Sequence, residues 1–432
     1  MALGDWKKRL MGEANRLVNQ FGPPIAIDFG TASLKVLQIA NADTPSLIAA
    51  ACVPTPEELL NDPSKRMVFQ LEALPKIFKS VGFKGRRAVC AVPASQAFCK
   101  HMQFQADAGA SIGALVRSAV PAQLGCDASA LVFRHIEVGQ LGRGGKTEVI
   151  CMAAARELVD RFMRTMKDAK LEPVGMHIEY TAAIRAFDSI TRRDEDAGLT
   201  TLYVDIGGGC TKVTIGHGQN LVFARMIDLG GRHLDQIVAR QLHMELAEAR
   251  AHRLQLTELS PKRVKAAAAA ETNPAENGGL DPRLACALPG TAAEPEADPA
   301  VTALMDDRRR GGEPAGLTPD VTRGPAAPFE PARADLTEPL EIMTDEISMC
   351  LRYHESSFPD RRIDRAIFIG GEARHVGLCQ HIARTLRLPA QIADPMAGIA
   401  RNGKEPTLGV DFRTSQPGWA MTLGLCLCPT DL

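Results

Sequence analysis

The chain has 432 residues with a formal net charge of −1, and 45% of its residues are hydrophobic. That length predicts about three domains, and a chain so close to neutral has no overall field to attract nucleic acid, so we expect no such partner. The eleven cysteines lack the paired spacing of zinc or disulfide frameworks. No apolar run approaches the ~18 residues that span a bilayer. We therefore expect a cytoplasmic protein with at most peripheral membrane contact.

The first 21 residues mix aromatic and aliphatic side chains with four basic ones. This mixture predicts a short amphipathic leader helix. Such a helix can pack on the domain that follows it, or it can lie in a membrane interface. The sequence leaves both interpretations open.

A glycine hairpin follows, in the sequence IAIDFGTASLKVLQI of residues 25–39. Its first apolar strand ends in an aspartate, and its glycine lets the backbone turn closely around an anion before the second strand returns. Hydroxyls and a lysine at the turn add donors for a phosphate group. The predicted phosphate-binding residues are Asp28, Gly30, Thr31, Ala32, Ser33 and Lys35.

Short strand and helix patterns alternate through residues 85–175. Apolar alternation predicts strands and a 3.6-residue period predicts helices. The alternation is typical of a compact α+β unit inserted into the first domain. The helix pattern after it, in 181–190, is expected to cross toward the second domain.

The hairpin pattern recurs in LYVDIGGGCTKVTI, residues 202–215, with three glycines in place of one. Internal repeats of this kind indicate related domains, here with their aspartates 177 positions apart. An ordinary glycine turn without a ligand is the alternative reading. The predicted phosphate-binding residues of this copy are Asp205, Gly207, Gly208, Gly209, Cys210, Thr211 and Lys212. Asp28 and Asp205 are predicted to hold Mg²⁺, directly or through water.

Two further glycine pairs occur in the second half of the chain. Gly230 and Gly231 precede a helix pattern, so they mark either a plain turn or an anion site at the helix N-terminus. Gly370, Gly371 and Glu372 follow an apolar strand in the same way. Between these pairs, residues 260–340 contain twelve of the 28 prolines. That composition predicts a disordered insertion.

The motifs IAIDFGTASLK, YVDIGGGCTKV and AIFIGGEAR resemble the two phosphate motifs and the adenosine motif of the actin, sugar-kinase and 70-kilodalton-chaperone ATPase superfamily. Within it, the chain most resembles the PilM family of type IV pilus assembly proteins and, next, the FtsA division proteins. The resemblance implies an α/β, actin-like (ribonuclease H-like) two-domain ATPase fold with an inserted α+β subdomain. It divides the chain into a leader, 1–21; a first domain, 22–84 and 176–198; the inserted subdomain, 85–175; a second domain, 199–259 and 341–432; and the insertion, 260–340.

The resemblance also implies function. ATP with Mg²⁺ is expected between the two domains, and Gly370, Gly371 and Glu372 are expected to contact the adenosine. The superfamily places a Glu-x-x-Lys pair near the ribose and base. Glu248 fills its acidic position, but Ala251 replaces the lysine, for which Arg250 or His252 are candidates. No catalytic residue is assigned, and Glu179 is the only candidate considered for positioning water, so hydrolysis is expected to be slow or absent.

The partner implied by the resemblance is the N-terminal cytoplasmic peptide of a PilN-like inner-membrane protein, captured in a groove near residues 86–105. The role would be that of a scaffold in type IV pilus or type II secretion assembly, peripheral at the inner face of the inner membrane, with self-association open. An FtsA-like filament protein and a small-molecule kinase with Asp205 as general base are the alternatives.

Overall fold

We describe a computed structural model over residues 22–42, 44–105, 111–141, 145–188, 196–256 and 334–430. The predicted leader, 1–21, lies outside these residues, as do residues 260–333 of the predicted insertion. The insertion was predicted to extend to residue 340, but a helix already begins at Thr337, so its last residues belong to the folded second half of the chain.

Fourteen strands occur within the described ranges. They are β1 Ile25–Phe29, β2 Ser33–Ala40, β3 Ser46–Pro54, β4 Arg87–Val92, β5 Ala97–Gln105, β6 Leu131–Leu141, β7 Lys146–Ala155, β8 Glu172–Ile178, β9 Thr200–Ile206, β10 Thr211–His217, β11 Asn220–Ile227, β12 Arg365–Ile369, β13 Ala390–Ile392 and β14 Thr407–Leu408.

Nine α-helices accompany the strands in the same part of the chain. They are α1 Pro63–Ser80, α2 Ile112–Leu124, α3 Arg156–Asp168, α4 Glu179–Arg185, α5 Gly231–Leu242, α6 Leu246–Gln255, α7 Thr337–Ser357, α8 Val376–Leu386 and α9 Ala420–Leu427.

Two of the three sheets share a five-strand arrangement, to which the first sheet adds β14, parallel to β3. The first runs β14-β3-β2-β1-β4-β8 and the second β11-β10-β9-β12-β13. In each sheet, three consecutive strands pair antiparallel, and two later strands continue the sheet in parallel from the first of the three, which is β1 or β9. The carboxyl ends of β1 and β9 therefore occupy equivalent places. This duplication confirms the repeat that the sequence predicted.

The third sheet, β5-β7-β6, is separate from the other two and packs with α2. It belongs to the inserted unit predicted at 85–175. The strands near the ends of that range, β4 and β8, instead pair with the first sheet. We therefore place the limits of the inserted unit further inward, at about residues 94–171, as a proposal.

Side-chain alternation explains how the first sheet is covered on both faces. Successive strand residues point to opposite faces, so Ile25 and Ile27 of β1 join a core with α1 and α3, while Ala26 joins the large core shared with the second sheet. Helix α9 lies in that large core against α4. Gly424 permits the approach, since a Cβ there would overlap the carbonyl oxygen of Ala182.

Candidate functional site

The two glycine hairpins meet across the space between the first and second sheets. The turn between β1 and β2 lies against the turn between β9 and β10. A Cβ on Gly209 would stand 2.9 Å from the Thr31 hydroxyl oxygen, and one on Gly208 would stand 3.5 Å from Ala32 Cβ. Glycine is therefore needed at 209 for the hairpins to approach this closely.

A cavity of about 520 Å³ opens at this meeting point. Its lining includes most of the predicted site residues, from both phosphate motifs and from the adenosine motif. These are Asp28, Gly30, Thr31, Ala32, Ser33, Lys35, Asp205, Gly207, Gly208, Gly209, Cys210, Lys212, Gly370, Gly371 and Glu372. Residues of the two hairpins, 170 or more positions apart in sequence, thus line one cavity.

The remaining predicted residues lie behind or outside the cavity. Thr211 is fully buried, and its hydroxyl donates to the Leu229 carbonyl oxygen at 2.7 Å. The N–H groups of Gly231 and Arg232, at the start of α5, donate to the carbonyl oxygens of Gly207 and Gly208. The N-terminus of α5 therefore supports the second hairpin from behind instead of facing the cavity.

Two carboxylates share one ammonium group at the floor of the cavity. Lys212 Nζ lies 2.9 Å from Asp205 Oδ2 and 3.3 Å from Glu179 Oε1. The second Glu179 oxygen accepts the Ala94 N–H at 2.7 Å. Burial alone would lower the pKa of the Lys212 ammonium, but Asp205 and Glu179 raise that pKa well above its usual value. Lys212 is therefore a fixed cation.

The first hairpin carries a looser pair. Lys35 Nζ lies 3.7 Å from Asp28 Oδ2, and the Thr422 hydroxyl donates to that same oxygen at 3.3 Å. Asp28 and Asp205, the predicted Mg²⁺ ligands, are thus each paired with a lysine. Within the described residues, no group of three or more histidine, cysteine or acidic side chains is arranged to hold a metal ion. The surroundings of Asp205 do not fit a divalent cation, because Lys212 already lies against it.

The adenosine motif forms the opposite wall. Gly370 has φ +94°, and a Cβ on it would overlap Asp205 and the Ile206 carbonyl oxygen. The next glycine, Gly371, has nothing within 4 Å of its would-be Cβ. One glycine therefore makes the turn against the second hairpin possible, and the other leaves open space.

Glu372 is held by two arginines of α6. Its Oε2 accepts from Arg253 Nη2 at 2.7 Å, and its Oε1 lies 3.5 Å from Arg250 Nη2. Arg253 is fully buried and also bonds Asp235 Oδ1 at 2.6 Å. Glu248, the predicted acidic contact, is exposed and does not line the cavity. The α6 side chain that does line it is Arg250, one of the two substitutes considered for the missing lysine.

One stretch of the lining has no motif in the sequence. Residues 409–421 pass over the adenosine wall, and Gln416 there accepts a hydrogen bond from Arg374 Nη2 at 2.7 Å. Asp411 and Trp419 line the same side. Only the proximity of this late segment to β12 brings it to the site, so no local pattern could have identified it.

A second cavity, of about 400 Å³, lies between the third sheet, α4 and the β10–β11 turn. Its lining includes Ile136 and Val138 of β6, Arg185 of α4 and Gln219. The predicted groove region, 86–105, is less accessible: β4 is internal to the first sheet, and β5 packs against β11. The edge strand β6 is the better candidate for a groove.

Comparison with known proteins agrees with this architecture. Residues 26–261, more than half of the chain, match the family Type IV pilus assembly protein PilM. The solved "PilM-PilN type IV pilus biogenesis complex" aligns with a TM-score of 0.63 at 17% identity, over 94% of this chain and 98% of that one. No curated protein sequence matches the chain.

Two more distant structures have TM-scores of 0.43 at 14% identity. The ethanolamine utilization protein EutJ from Carboxydothermus hydrogenoformans aligns over 94% of this chain and 89% of its own. MreB5 of Spiroplasma citri bound to ADP aligns over 93% and 94%.

The duplicated sheets and the inserted unit define an actin-like, ribonuclease H-like two-domain protein, as predicted. The chain belongs to the family of the type IV pilus assembly protein PilM. No helix among the described residues is long and apolar enough to cross a membrane.

Proposed function

We propose that the chain is a nucleotide-binding scaffold of type IV pilus or related type II secretion assembly, at the inner face of the inner membrane. Nucleotide binding is supported by one observation: the two glycine hairpins meet over one cavity of about 520 Å³. That volume lies in the range of small-molecule sites. The residues that line the cavity fit an adenine nucleotide.

Phosphate groups need donors and positive charge, and both hairpins supply them. Lys35 and Lys212 line the cavity with the hydroxyl-bearing Thr31 and Ser33. On the opposite wall, the space beside Gly371 and the half-exposed Arg250 guanidinium suit a base and ribose. The bound nucleotide would join the two sheets, so closure of the cleft would be its output.

Slow or absent hydrolysis follows from the contacts of Glu179. A residue that positions the attacking water has to direct an acceptor oxygen at it. The two oxygens of Glu179 are instead directed at donors of the chain, one at Lys212 Nζ at 3.3 Å and the other at the Ala94 N–H at 2.7 Å. We propose that the nucleotide is held as a structural ligand.

The partner we propose is the N-terminal cytoplasmic peptide of a PilN-like inner-membrane protein. The solved PilM structure that the chain resembles is a PilM-PilN type IV pilus biogenesis complex. Here β6 is an edge strand with β7 as its neighbour, and the cavity of about 400 Å³ adjoins Ile136 and Val138. An extended peptide can add to such an edge and place side chains in an adjoining pocket.

Calorimetry on the purified chain tests both parts. We expect ATP and ADP to bind without turnover, and a synthetic peptide of the partner's N-terminus to bind as well. Gly209→Val should abolish nucleotide binding, because a side chain there would strike Thr31, whereas Gly398→Val, in open space, should not. Gln219→Trp should block the second cavity and weaken peptide binding about tenfold, while the exposed Lys404→Trp should not.

Other outcomes would contradict the scaffold. Phosphoryl transfer to a metabolite would favour the kinase alternative, and ATP-dependent filaments that sediment would favour the FtsA-like one. Absence of nucleotide binding in the unmodified chain would remove the ligand role of the cavity altogether.

A further inference from the structure

Lys212 lies where a divalent cation held by Asp205 would bind. Its ammonium group is 2.9 Å from Asp205 Oδ2 and 3.3 Å from Glu179 Oε1, so it bridges two carboxylates from different elements. Asp205 is the last residue but one of strand β9, Glu179 begins α4, and Lys212 lies on β10 directly opposite Asp205 in the register. The position of the ammonium is thus set by the sheet itself.

The surroundings keep this lysine in place. The Lys212 side chain is 11% exposed, and its two carboxylates are 10% and 7% exposed. The stem of the side chain has little room to withdraw, and both buried acids would be left without their cation if it did. A cation entering between Asp205 and Glu179 would have to displace the ammonium against that cost.

Lys212 also lines the nucleotide cavity, beside Gly207, Gly208 and Gly209. A magnesium ion in a nucleotide site neutralises the phosphate oxygens and connects them to nearby carboxylates. An ammonium held by two carboxylates at the cavity wall can do the same with its remaining hydrogen-bond donor.

We propose that Lys212 replaces the divalent cation, so that this chain binds adenine nucleotides independently of Mg²⁺. This inference rests on the proposed nucleotide binding and concerns the same cavity. Lys212 then contacts the phosphates directly, while Asp205 and Glu179 position its ammonium group. Asp205 is accordingly a positioning residue for a lysine, not a ligand of Mg²⁺.

The test is the affinity of the full chain for ADP and for ATP, measured by calorimetry in millimolar MgCl₂ and again in excess EDTA. We expect the two dissociation constants to agree within about threefold, which is less than 1 kcal/mol. A loss of about a hundredfold or more in EDTA would overturn the inference while leaving nucleotide binding intact. Failure to bind in either buffer would overturn the proposed function and this inference together.

A variant tests the lysine itself. Lys212→Met removes the charge and keeps the length, and we expect nucleotide affinity in EDTA to fall roughly ten- to hundredfold, as for loss of a charge-assisted hydrogen bond. The exposed Lys79→Met is the matched control and should bind like the unmodified chain. Unchanged affinity of folded Lys212→Met in EDTA would overturn the inference.

Because Lys212→Met leaves two buried carboxylates without their cation, it is paired with Lys212→Met/Glu179→Gln, which removes one of them. Circular dichroism establishes that each variant is folded. A second readout is the electron paramagnetic resonance of Mn²⁺ in the presence of ADP. We expect the unmodified protein to add no Mn²⁺ binding beyond that of the free nucleotide, and a protein-dependent Mn²⁺ signal would overturn the inference.

Discussion

The hydroxyl of Tyr353, on α7, donates a hydrogen bond of 2.6 Å to the carboxylate of Glu148, on β7. His101 Nδ1 lies 2.9 Å from the same oxygen, and its Nε2 accepts the Ala224 N–H at 3.2 Å. Because Nε2 accepts, the ring proton is on Nδ1 and is donated to Glu148. These contacts join the inserted sheet to the second sheet through a fully buried acid.

Removing the Tyr353 hydroxyl should weaken this junction. In Tyr353→Phe the ring still packs against Phe223 and His101, but Glu148 Oε1 loses one of its two donors, and Oε2 has none. We expect the free energy of unfolding in urea to fall by about 1–3 kcal/mol. A change below about 0.5 kcal/mol would mean that the bond is not formed.

The two arginines of α6 should differ in their contribution to stability, with Arg253 contributing much and Arg250 little. Arg253 is fully buried between Asp235 and Glu372. Arg253→Leu leaves Asp235 without its cation and Glu372 with Arg250 alone, at 3.5 Å, and should cost about 3–5 kcal/mol of stability. Arg250 is 45% exposed and 3.5 Å from Glu372, so Arg250→Ala should cost less than about 1 kcal/mol. Urea denaturation of both variants checks this, and equal losses would contradict the assignment.

Two buried histidines should make the protein less stable in mild acid. His354 and His375 each bond a backbone carbonyl through Nε2, at 2.9 Å, while Nδ1 of each has no partner among the described residues. Burial lowers the pKa of both imidazoles below the usual value. A lowered folded-state pKa means that the unfolded chain binds more protons, so their contribution is present above the unfolded pKa of about 6.5 and is lost as the pH falls.

We therefore expect the unfolding free energy to decrease between pH 7.5 and 5.5 by about 1 kcal/mol per histidine. Urea titrations at several pH values measure the slope. His375→Gln should reduce it, whereas the exposed His243→Asn should not, asparagine being tolerated at the positive φ of that position. If His375→Gln leaves the slope unchanged, the pH dependence of the unfolding free energy comes from other groups.

Cys210 should be a slow nucleophile although it lines the nucleotide cavity. Burial raises the pKa of its thiol to about 11, which Lys212 only partly offsets and nearby Glu179 and Asp205 reinforce. At pH 8 only about one such thiol in a thousand is ionised. Mass spectrometry after brief iodoacetamide treatment should find the exposed Cys126 modified and Cys210 unmodified. Equal modification of the two at pH 8 would contradict this.

The sequence by itself determined the features whose physics is local. A hairpin needs an apolar strand, a glycine turn and a returning strand, all within fifteen residues, so both phosphate hairpins and their repetition were predictable. Helix and strand periods are equally local, and the alternation of strands and helices predicted within 85–175 is present there as β4 to β7 with α2 and α3. The family followed from the order of these local motifs.

Tertiary structure alone decided which of these residues share the cavity and what each one contacts. The side of α6 that meets Glu372 depends on the rotation of a helix against a distant strand, so Arg250 and not Glu248 reaches the wall. Likewise, the engagement of Lys212 by Glu179 depends on packing between separate elements. Charges act through space at a few ångströms, and sequence separation carries no information about that distance.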